Sequence, residues 1–480
     1  MPEVVSMAPP TGCFVAGKWI TEGKALEIHS PYDRAVVGTV SLANHSLLER
    51  AIASAVEVFE VTRKLSSFER QRVLRSVADQ IQREREELAR SIALEAGKPI
   101  KTARIEVDRA VFTFSIAAEE ATRIGGEWLP MDLQPSARGM WGIVRHFPLG
   151  PLAAITPFNF PLNLVAHKVA PAIASGCTMV LKPASQTPLT ALRLAKIVEN
   201  AGWPAGALNV LVLSNEEAAP LVTDHRLKAL TFTGSAAVGW ELKSKAGKKR
   251  VTLELGGNAG VIVHSDADIH YAADRCVSGG FSYAGQSCIS VQRIFVHRSV
   301  YDRFLEAFLQ GVAKLKTGDP LSDATDVGPL ISERDAIRAY DWVQEAVTAG
   351  AKLLAGGKRL GSVLEPTVLT GTSAKMRVQC EEVFAPVKVV EPYDDFGAAV
   401  RTINDSRYGL QAGIFTNDAR LLFKAYEDLE VGGVIAGDVP TFRMDHMPYG
   451  GVKDSGMGRE GLRYAIEEMT ERKLLVMNLR

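Results

Sequence analysis

The fold is decided by the stretch at residues 152–182, LAAITPFNFPLNLVAHKVAPAIASGCTMVLK. Its pattern predicts a strand over 152–156, a helix over 163–174 and a second strand over 178–181, because short aliphatic runs flank a longer helix-forming segment. Repeated strand–helix–strand units predict a parallel sheet covered by helices on both faces. The alternation continues with predicted strands at 208–212, 229–232 and 250–255.

A second alternating region runs from Gly260 to about Phe415 and predicts another α/β lobe. Its strands are predicted near Val261, Ile294, Leu364, Val387 and Gly413, with helices beginning near Ile269, Val300 and Arg334.

Three β segments fall outside both regions. They are a hairpin over 14–19, a strand over 138–147 and a strand over 473–479. An isolated two-stranded ribbon is marginal by itself. We therefore expect the hairpin and the C-terminal strand to belong to an arm that pairs with another subunit.

Length and composition are those of an ordinary globular protein without net charge. The 480 residues are too many for one simple core, and the contents of 46% hydrophobic and 23% charged residues are ordinary for a globular protein. A formal net charge of +0 gives no reason to expect nucleic acid or an anionic membrane as a partner. No apolar run is long enough to span a bilayer, and residues 1–18 lack a signal-peptide pattern.

Cysteine usage fits a reducing cytoplasm. The five cysteines are odd in number and lack the CxxC spacing of a zinc site, so we expect neither a disulfide framework nor a metal site.

Polar and turn-forming residues follow four of the predicted strands. They are Pro-Phe-Asn-Phe-Pro at 157–161, Lys-Pro-Ala-Ser at 182–185, Thr-Gly-Ser at 233–235 and Gly-Gly-Asn at 256–258. Ligands of doubly wound sheets bind beyond the carboxyl ends of the strands. We therefore expect these loops to meet at one edge of the sheet. A lobe junction near 256–257 would place Cys288 on the same cleft.

Five residues in or beside these loops have both a chemical and a structural interpretation. Cys288 follows Gly-Gln-Ser before a predicted strand and is either a reachable nucleophile or a small buried hydrophobe. Glu254 is a base of raised pKa if it is buried and unpaired, or an exposed carboxylate. Asn159 either donates to an oxyanion or caps the next helix. Lys182 binds ribose or phosphate, or is a solvated strand end. Gly234 admits a pyrophosphate, or only forms a tight turn.

Seven motifs in order resemble those of the NAD(P)-dependent aldehyde dehydrogenase superfamily, over essentially the whole chain. The phenylalanine in the first motif resembles the lactaldehyde- and semialdehyde-type branch. The motifs are Pro157-Phe158-Asn159-Phe160-Pro161, Lys182-Pro183-Ala184-Ser185, Phe232-Thr233-Gly234-Ser235, Glu254-Leu255-Gly256-Gly257-Asn258, Gly285-Gln286-Ser287-Cys288, Glu381-Glu382-Val383-Phe384-Ala385-Pro386 and Pro448-Tyr449-Gly450-Gly451-Val452-Lys453.

The resemblance implies a fold and an assembly. It implies a Rossmann-like dinucleotide-binding domain at 1–124 and 146–255 and an α/β catalytic domain at 256–469. A β-arm at 125–145 and 470–480 would build homodimers or homotetramers.

The resemblance also implies the catalytic and cofactor residues. Cys288 would attack a small-molecule aldehyde, Asn159 and the Cys288 N–H would hold the oxyanion, and Glu254 would activate the water that releases the carboxylic acid. Lys182 would have both a catalytic and a cofactor-binding role. The cofactor would be NAD or NADP. The implied cofactor residues are Thr156, Pro157, Phe158, Lys182, Ala184, Ser185, Gly234, Ser235, Leu255, Gly256, Glu382 and Phe384.

Substrate preference is read from the implied tunnel residues. His167 lies about two helical turns beyond Phe160, and Arg109 could reach the same tunnel and hold an anionic group. The structural alternatives are a core histidine and a surface ion pair. These residues favour a short polar or anionic aldehyde, such as lactaldehyde, a semialdehyde, or a phosphorylated or phosphonated aldehyde. The implied substrate-binding residues are Arg109, Phe160, His167, Ser287, Ile289 and Arg443.

Two departures from the common family pattern affect these expectations. Ser185 stands where many relatives have glutamate, so a cofactor 2′-phosphate would not be repelled and we expect NADP to be accepted. Ser287 stands where some phosphate-using relatives have arginine, which argues against a phosphorylated substrate. A CoA-acylating enzyme is the rival activity, against which Glu254 argues. A non-catalytic relative would be expected to lose Cys288, Glu254 or Asn159, and all three are present.

Overall fold

A computed structural model describes residues 12–479, and its first lobe is built on an eight-stranded sheet. Five adjacent strands are parallel, and the pairs at both edges are antiparallel. The central strands are buried along their length because helices cover both faces. In order across the sheet, the strands are Lys18–Ile20, Cys13–Val15, Leu208–Val210, Met179–Lys182, Leu152–Ile155, Ala229–Thr233, Arg250–Glu254 and Gly456–Met457.

The second lobe is a seven-stranded sheet that is parallel except for one edge pair. Its core is separate from that of the first lobe and lies on both faces of the sheet. In order, the strands are Lys352–Ala355, Thr367–Thr370, Val387–Tyr393, Arg293–His297, Gly260–Val263, Gln411–Phe415 and Gly433–Ala436. Two α/β lobes with mainly parallel sheets confirm the predicted fold class.

Helices pack against both sheets. Helix Asn163–Ser175 is buried at every residue, as is typical of a helix that is apolar on all sides. Its few polar side chains need hydrogen-bond partners within the protein. Among residues 12–479, no helix is both long and apolar enough to cross a membrane. The α-helices are His45–Thr62, Ser67–Arg83, Arg85–Ala96, Ile100–Glu120, Asn163–Ser175, Leu189–Asn200, Ala219–Thr223, Ala236–Lys245, Ile269–Phe281, Tyr301–Ala313, Glu333–Thr348, Arg377–Cys380, Phe396–Asn404, Ala419–Asp428 and Leu462–Glu468.

A three-stranded antiparallel sheet stands apart from both lobes, in the strand order Thr470–Asn478, Met140–Pro148 and Gly126–Pro130. The C-terminal strand is exposed at most of its positions. Three short ribbons complete the β structure. They pair Ala25–His29 with Val36–Ser41, Arg359–Leu360 with Val363–Leu364, and Tyr408–Gly409 with Val452–Lys453.

The N-terminal hairpin corrects one expectation. We expected it to belong to the arm, and the structure instead adds it to the edge of the eight-stranded sheet, where Phe14 pairs with Val210. Phe14 and its neighbours in the strand are buried against the first lobe. A hairpin pattern predicts two paired strands but carries no signal for the third strand that they join, so the expectation was wrong.

Candidate active site

The loops beyond three parallel strands meet the nucleophile segment in a cleft between the two lobes. A cavity of about 310 Å³ lies there, and its lining combines residues from both lobes. The side chains that line it are Arg109, Pro157, Phe158, Asn159, Phe160, Asn163, Leu164, Thr233, Ser235, Glu254, Leu255, Ser287, Cys288, Ile289, Arg338, Glu382, Phe384, Arg443 and Tyr449, with Gly234 and Gly256 contributing backbone.

The segment before Cys288 is held in an unusual backbone conformation. Helix Ile269–Phe281 ends in a tight turn in which Tyr283, Ala284 and Gly285 have φ values of 49°, 52° and 71°. Two successive non-glycine residues in the left-handed region are strained, so neighbouring contacts must hold them. The Tyr283 hydroxyl donates to the Ala96 carbonyl at 2.9 Å. A side chain at Gly285 would meet the Ala385 carbonyl, because an added Cβ would lie 2.3 Å from its oxygen.

Gln286 fixes the other side of this turn. Its carboxamide oxygen accepts from the Ile331 N–H at 2.8 Å, and its nitrogen donates to the Pro329 carbonyl at 3.3 Å. Both contacts come from the second lobe. The turn and these hydrogen bonds together fix the backbone from which the thiol projects.

Cys288 is half-buried in the cavity, and its Sγ lies 3.0 Å from the Tyr449 hydroxyl. Burial raises the pKa of the thiol to about 12, whereas the Tyr449 hydrogen bond and the Arg443 charge act in the opposite direction. The Cys288 backbone N–H has no hydrogen-bond partner among residues 12–479. The sulfur is therefore reachable, and an unused backbone donor sits directly beside it.

Asn159 is buried beside the same segment. Its amide nitrogen donates to the Gln286 carbonyl at 3.0 Å, and its amide oxygen has no partner. An amide nitrogen carries two hydrogens, so one donor is left after this bond. The side chain is therefore oriented by the backbone next to the nucleophile.

Glu254 is the last residue of its strand and is only 3% exposed. Neither carboxylate oxygen has a hydrogen-bond partner among the described residues. Burial, followed by the charge of Glu460, raises its pKa well above the usual 4.5. Of the two interpretations of Glu254 from the sequence, the structure matches the buried and unpaired carboxyl group, which is suited to accept a proton near neutral pH.

The Glu382 carboxylate packs closely on the loop after the Glu254 strand. It accepts the Gly257 N–H at 2.8 Å, and a Cβ added at Gly256 would lie 2.3 Å from its other oxygen. Burial raises the pKa of Glu382 to about 7. Phe384 follows with φ of 51°, and its ring stands edge-on to that of Phe158 at 6.0 Å between centroids.

Several buried polar atoms on the first-lobe side have no partner within residues 12–479. Thr156 and Thr233 each have a buried, unpartnered hydroxyl oxygen. The pKa of Lys182 is lowered by burial, and no hydrogen bond or ion pair of its ammonium is found in the described chain. Ser235 begins helix Ala236–Lys245 without capping it through its side chain. Unused donors and acceptors beside a helix N-terminus fit a pyrophosphate with its riboses.

Not every predicted cofactor residue lines the cavity itself. Thr156, Lys182, Ala184 and Ser185 stand outside its lining, at the carboxyl ends of the neighbouring strands. The Ser185 hydroxyl is 3.4 Å from the Leu213 carbonyl, to which it donates.

A second cavity of about 400 Å³ is lined in part by the same residues as the first and has an arginine-rich wall. Arg109 donates from Nη2 and Nε to the Asp445 carboxylate at 2.6 and 3.2 Å. Arg443 donates to Glu460 at 3.0 Å, and its guanidinium lies 3.6 Å from the centroid of the Tyr449 ring. The residues that line both cavities are Arg109, Phe160, Ser287, Ile289 and Arg443.

His167 lies outside both cavities, although the sequence suggested a place in the tunnel. It is 1% exposed, and its Nε2 lies 2.8 Å from Asp445 Oδ1. Burial, with the Arg443 charge, lowers the pKa of His167 below its usual 6.5. His167 lies about one turn into helix Asn163–Ser175. The first residues of this helix, Asn163 and Leu164, reach the cavity, whereas His167 is packed against Asp445.

Asp445 is a site residue that the sequence reading missed. Its buried carboxylate accepts from Arg109, His167 and the Asn163 amide, the last at 3.2 Å. Burial opposes its ionisation, but the bonds and charges of His167 and Arg109 hold the pKa of Asp445 well below its usual range. The sequence signal that could have indicated Asp445 was an acidic residue between Arg443 and His446. Tyr449 is a second site residue without a predicted role, although it lies within the last of the seven motifs.

Comparison with known proteins identifies the class of protein that this fold and site define. Residues 19–475 match the model of the aldehyde dehydrogenase family, and the chain belongs to that family. It is therefore an NAD(P)-dependent oxidoreductase of aldehydes, as the sequence predicts.

Individual relatives cover nearly the whole chain. A 3-sulfolactaldehyde dehydrogenase of Priestia megaterium is 45% identical over 98% of this chain and 98% of its own. Aldehyde dehydrogenase 21 from Physcomitrella patens, solved in complex with the reaction product succinate, is 46% identical over 98% of this chain and 99% of its own, with a TM-score of 0.96. Glyceraldehyde-3-phosphate dehydrogenase from Methanocaldococcus jannaschii, solved with NADP, is 40% identical over 96% of this chain and 100% of its own, with a TM-score of 0.92.

Proposed function

We propose that this enzyme oxidises a short anionic aldehyde to its carboxylic acid, with Cys288 as the nucleophile. The observation that carries the proposal is the placement of two guanidinium groups, Arg109 and Arg443, in the walls around the thiol. The names of the relatives agree with it, since sulfolactaldehyde is an anionic aldehyde and succinate is the acid formed from an anionic aldehyde.

Charge balance around the cavities supports an anion as the ligand. Three cations (Arg109, Arg443 and Lys168) face two ionised carboxylates (Asp445 and Glu460) in this network. Glu254 adds no full negative charge, because its raised pKa favours the neutral acid. Two cations of this network, Arg109 and Arg443, stand in the walls of both cavities, where an anionic substrate would meet them.

The residues of the chain supply each step of the proposed reaction. The Cys288 thiolate attacks the aldehyde carbon, and the Cys288 N–H and the Asn159 amide hold the oxygen that becomes negative. The hydride acceptor would be supplied by a bound dinucleotide. The acyl group is then a thioester on Cys288, and Glu254 in its ionised form takes a proton from the water that attacks it. The carboxylic acid leaves and the thiol is restored.

We propose the remaining roles on the same basis. Lys182 and Glu382 would hold the two riboses, Gly234 and Ser235 would receive the pyrophosphate, and Phe384 would contact the nicotinamide. The other proposed cofactor contacts are Thr156, Pro157, Phe158, Ala184, Ser185, Leu255 and Gly256. The proposed substrate contacts are Arg109, Phe160, Ser287, Ile289 and Arg443, with His167 acting through Asp445.

The larger organisation follows as a proposal. Residues 1–124 and 146–255 are assigned to the dinucleotide-binding domain and residues 256–469 to the catalytic domain. Residues 125–145 and 470–480 are assigned to the arm through which two or four copies assemble, and the exposed apolar residues at 474–476 support this. Residues 1–11 and 480 of these ranges lie outside the described part of the chain. The enzyme works in the cytoplasm, in keeping with its free cysteines.

A steady-state screen tests the substrate class. We expect succinate semialdehyde and sulfolactaldehyde, each with NAD and NADP, to exceed propanal and benzaldehyde by about tenfold or more in kcat/KM, which is roughly 1.4 kcal/mol of transition-state discrimination. Lactaldehyde, which is polar but uncharged, should fall below these two anionic aldehydes. Glyceraldehyde 3-phosphate and added CoA test the phosphorylated substrate and the acyl-CoA product. Cys288→Ala is the blank. A lead by propanal or benzaldehyde would overturn the anionic assignment.

A further inference from the structure

The proposed nucleophile has one side-chain hydrogen-bond partner among residues 12–479, Tyr449, whose hydroxyl lies 3.0 Å from Cys288 Sγ. Tyr449 is 3% exposed and packs with Ile289 and Leu410 in a small apolar cluster that also contacts Cys288. No second hydrogen-bond partner of the hydroxyl is found among residues 12–479. The Cys288 sulfur is therefore the hydrogen-bond partner of the phenol hydroxyl in the described chain.

Tyr449, Glu460 and Arg443 each contact the other two, and these contacts fix the Tyr449 ring. The Tyr449 N–H donates to the Glu460 carbonyl at 3.0 Å, and the Glu460 N–H donates back at 2.6 Å. The Glu460 carboxylate accepts from Arg443, and the Arg443 guanidinium covers the Tyr449 ring at 3.6 Å. Backbone pairing, an ion pair and a cation–π contact thus restrain the same ring.

The surroundings of the thiol leave few groups that favour its ionised form. Glu254 and Glu382 face it with carboxyl groups that oppose a negative sulfur, and Arg443 and Tyr449 act in favour of one. A hydrogen bond from a neutral O–H to a thiolate is charge-assisted and stronger than a bond to the thiol. A cation over the ring draws electron density from it and makes the phenol a better donor.

We propose that Tyr449 is a catalytic residue that donates its hydroxyl hydrogen to the Cys288 thiolate, with Arg443 strengthening the donor through the ring. The proposal rests on Cys288 being the nucleophile. The thiol proton passes to water in the cavity, and Tyr449 keeps its own proton. When the C–S bond forms, the sulfur electron pair enters that bond and the carbonyl π pair moves to the aldehyde oxygen. The Tyr449 hydrogen bond weakens as the negative charge leaves sulfur.

Tyr449→Phe tests this role, because it keeps the ring, the apolar cluster and the Arg443 contact and removes only the donor. Alkylation of Cys288 by iodoacetamide is followed against pH and read on the Cys288 peptide, which separates it from Cys380. Loss of a hydrogen bond to a charged group should displace the profile to higher pH by about one unit. At a fixed pH the rate should fall by about three- to tenfold, since the less stabilised thiolate is also more nucleophilic.

Tyr408→Phe is the matched control. Tyr408 is also buried, but its hydroxyl accepts from Arg407 at 2.7 Å and does not contact the thiol. We expect its alkylation profile to match the wild type. The kcat/KM of Tyr449→Phe should fall by a similar factor at neutral pH and recover as the pH rises, which a purely structural change would not reproduce.

The outcomes separate this proposal from the one on which it rests. If Cys288→Ala retains turnover, the nucleophile assignment is wrong. If Cys288→Ala is inactive while Tyr449→Phe alkylates with an unshifted pH profile, only the role of Tyr449 is overturned. Should Tyr449→Phe fold poorly, 3-fluorotyrosine placed at 449 replaces it. Its more acidic hydroxyl should move the profile to lower pH, and an unchanged profile would overturn the role of Tyr449.

Discussion

Replacement of Arg109 by glutamine removes one cation from the substrate wall while leaving a neutral side chain that can still donate to Asp445. In the structure, two guanidinium nitrogens of Arg109 are engaged by Asp445, and the third, Nη1, has no partner among residues 12–479. The side chain is 25% exposed and lines both cavities. The free nitrogen is the group that we expect to meet the substrate anion.

The expected loss is that of one hydrogen bond to a charged group, about 1.5–3 kcal/mol. This corresponds to a fall of roughly 10- to 150-fold in kcat/KM for succinate semialdehyde. Butanal has the same number of carbons and no charge, so it makes no charged contact with Arg109. Its kcat/KM should therefore change by less than about threefold. The predicted effect is thus a fall in the ratio of kcat/KM for succinate semialdehyde to kcat/KM for butanal, measured in one enzyme preparation.

Arg104→Gln provides the control for removal of a charge from the same helix. Arg104 pairs with Glu86 and Asp323 and lies outside both cavities. Its kinetics should match the wild type with both aldehydes. Equal losses for succinate semialdehyde and butanal in Arg109→Gln would refute the reasoning, because they would make Arg109 a structural partner of Asp445 only.

Three further predictions concern the cofactor, stability and assembly. Ser185→Glu should raise the preference for NAD over NADP by about tenfold or more, because a carboxylate repels a 2′-phosphate; steady-state kinetics with both cofactors measure it. Lys388 is buried without a carboxylate, and burial lowers its pKa from 10.5 to about 7. The unfolded state therefore binds more protons between these values, so wild-type stability should rise with pH there, by at most about 5 kcal/mol. Denaturant titrations should show this rise weakened in Lys388→Met. Leu475→Glu, on the exposed C-terminal strand, should lower the mass in light scattering without abolishing the fold of a subunit.

Much of the site was predictable because it lies at strand ends. The alternation of strand and helix fixes which residues leave the sheet on the same edge, so Lys182, Thr233 and Glu254 could be placed together without coordinates. Cys288 precedes a strand of the second lobe, and it was placed on the cleft from the predicted lobe junction near 256–257. Order along the chain was sufficient for these residues.

Residues that meet through tertiary packing were not predictable in this way. Asp445 joins Arg109 and His167, which lie 336 and 278 positions away in sequence. No local pattern indicates such a meeting. The left-handed backbone at Tyr283 was also hidden, because tyrosine has no preference for that region and neighbouring contacts impose it. Phe14 shows the same limit for strands, since its pairing with Val210 depends on a sheet edge formed far along the chain.

The most direct test of the account is to look for the acyl group on Cys288 in the Glu254→Gln enzyme. Without its base, this variant should form the thioester but hydrolyse it about 10²- to 10⁴-fold more slowly. Mixing it with succinate semialdehyde and NADP should give one equivalent of NADPH per active subunit, and peptide mass spectrometry should find succinyl on Cys288. Full turnover without a labelled cysteine, or a label on another residue, would contradict the account.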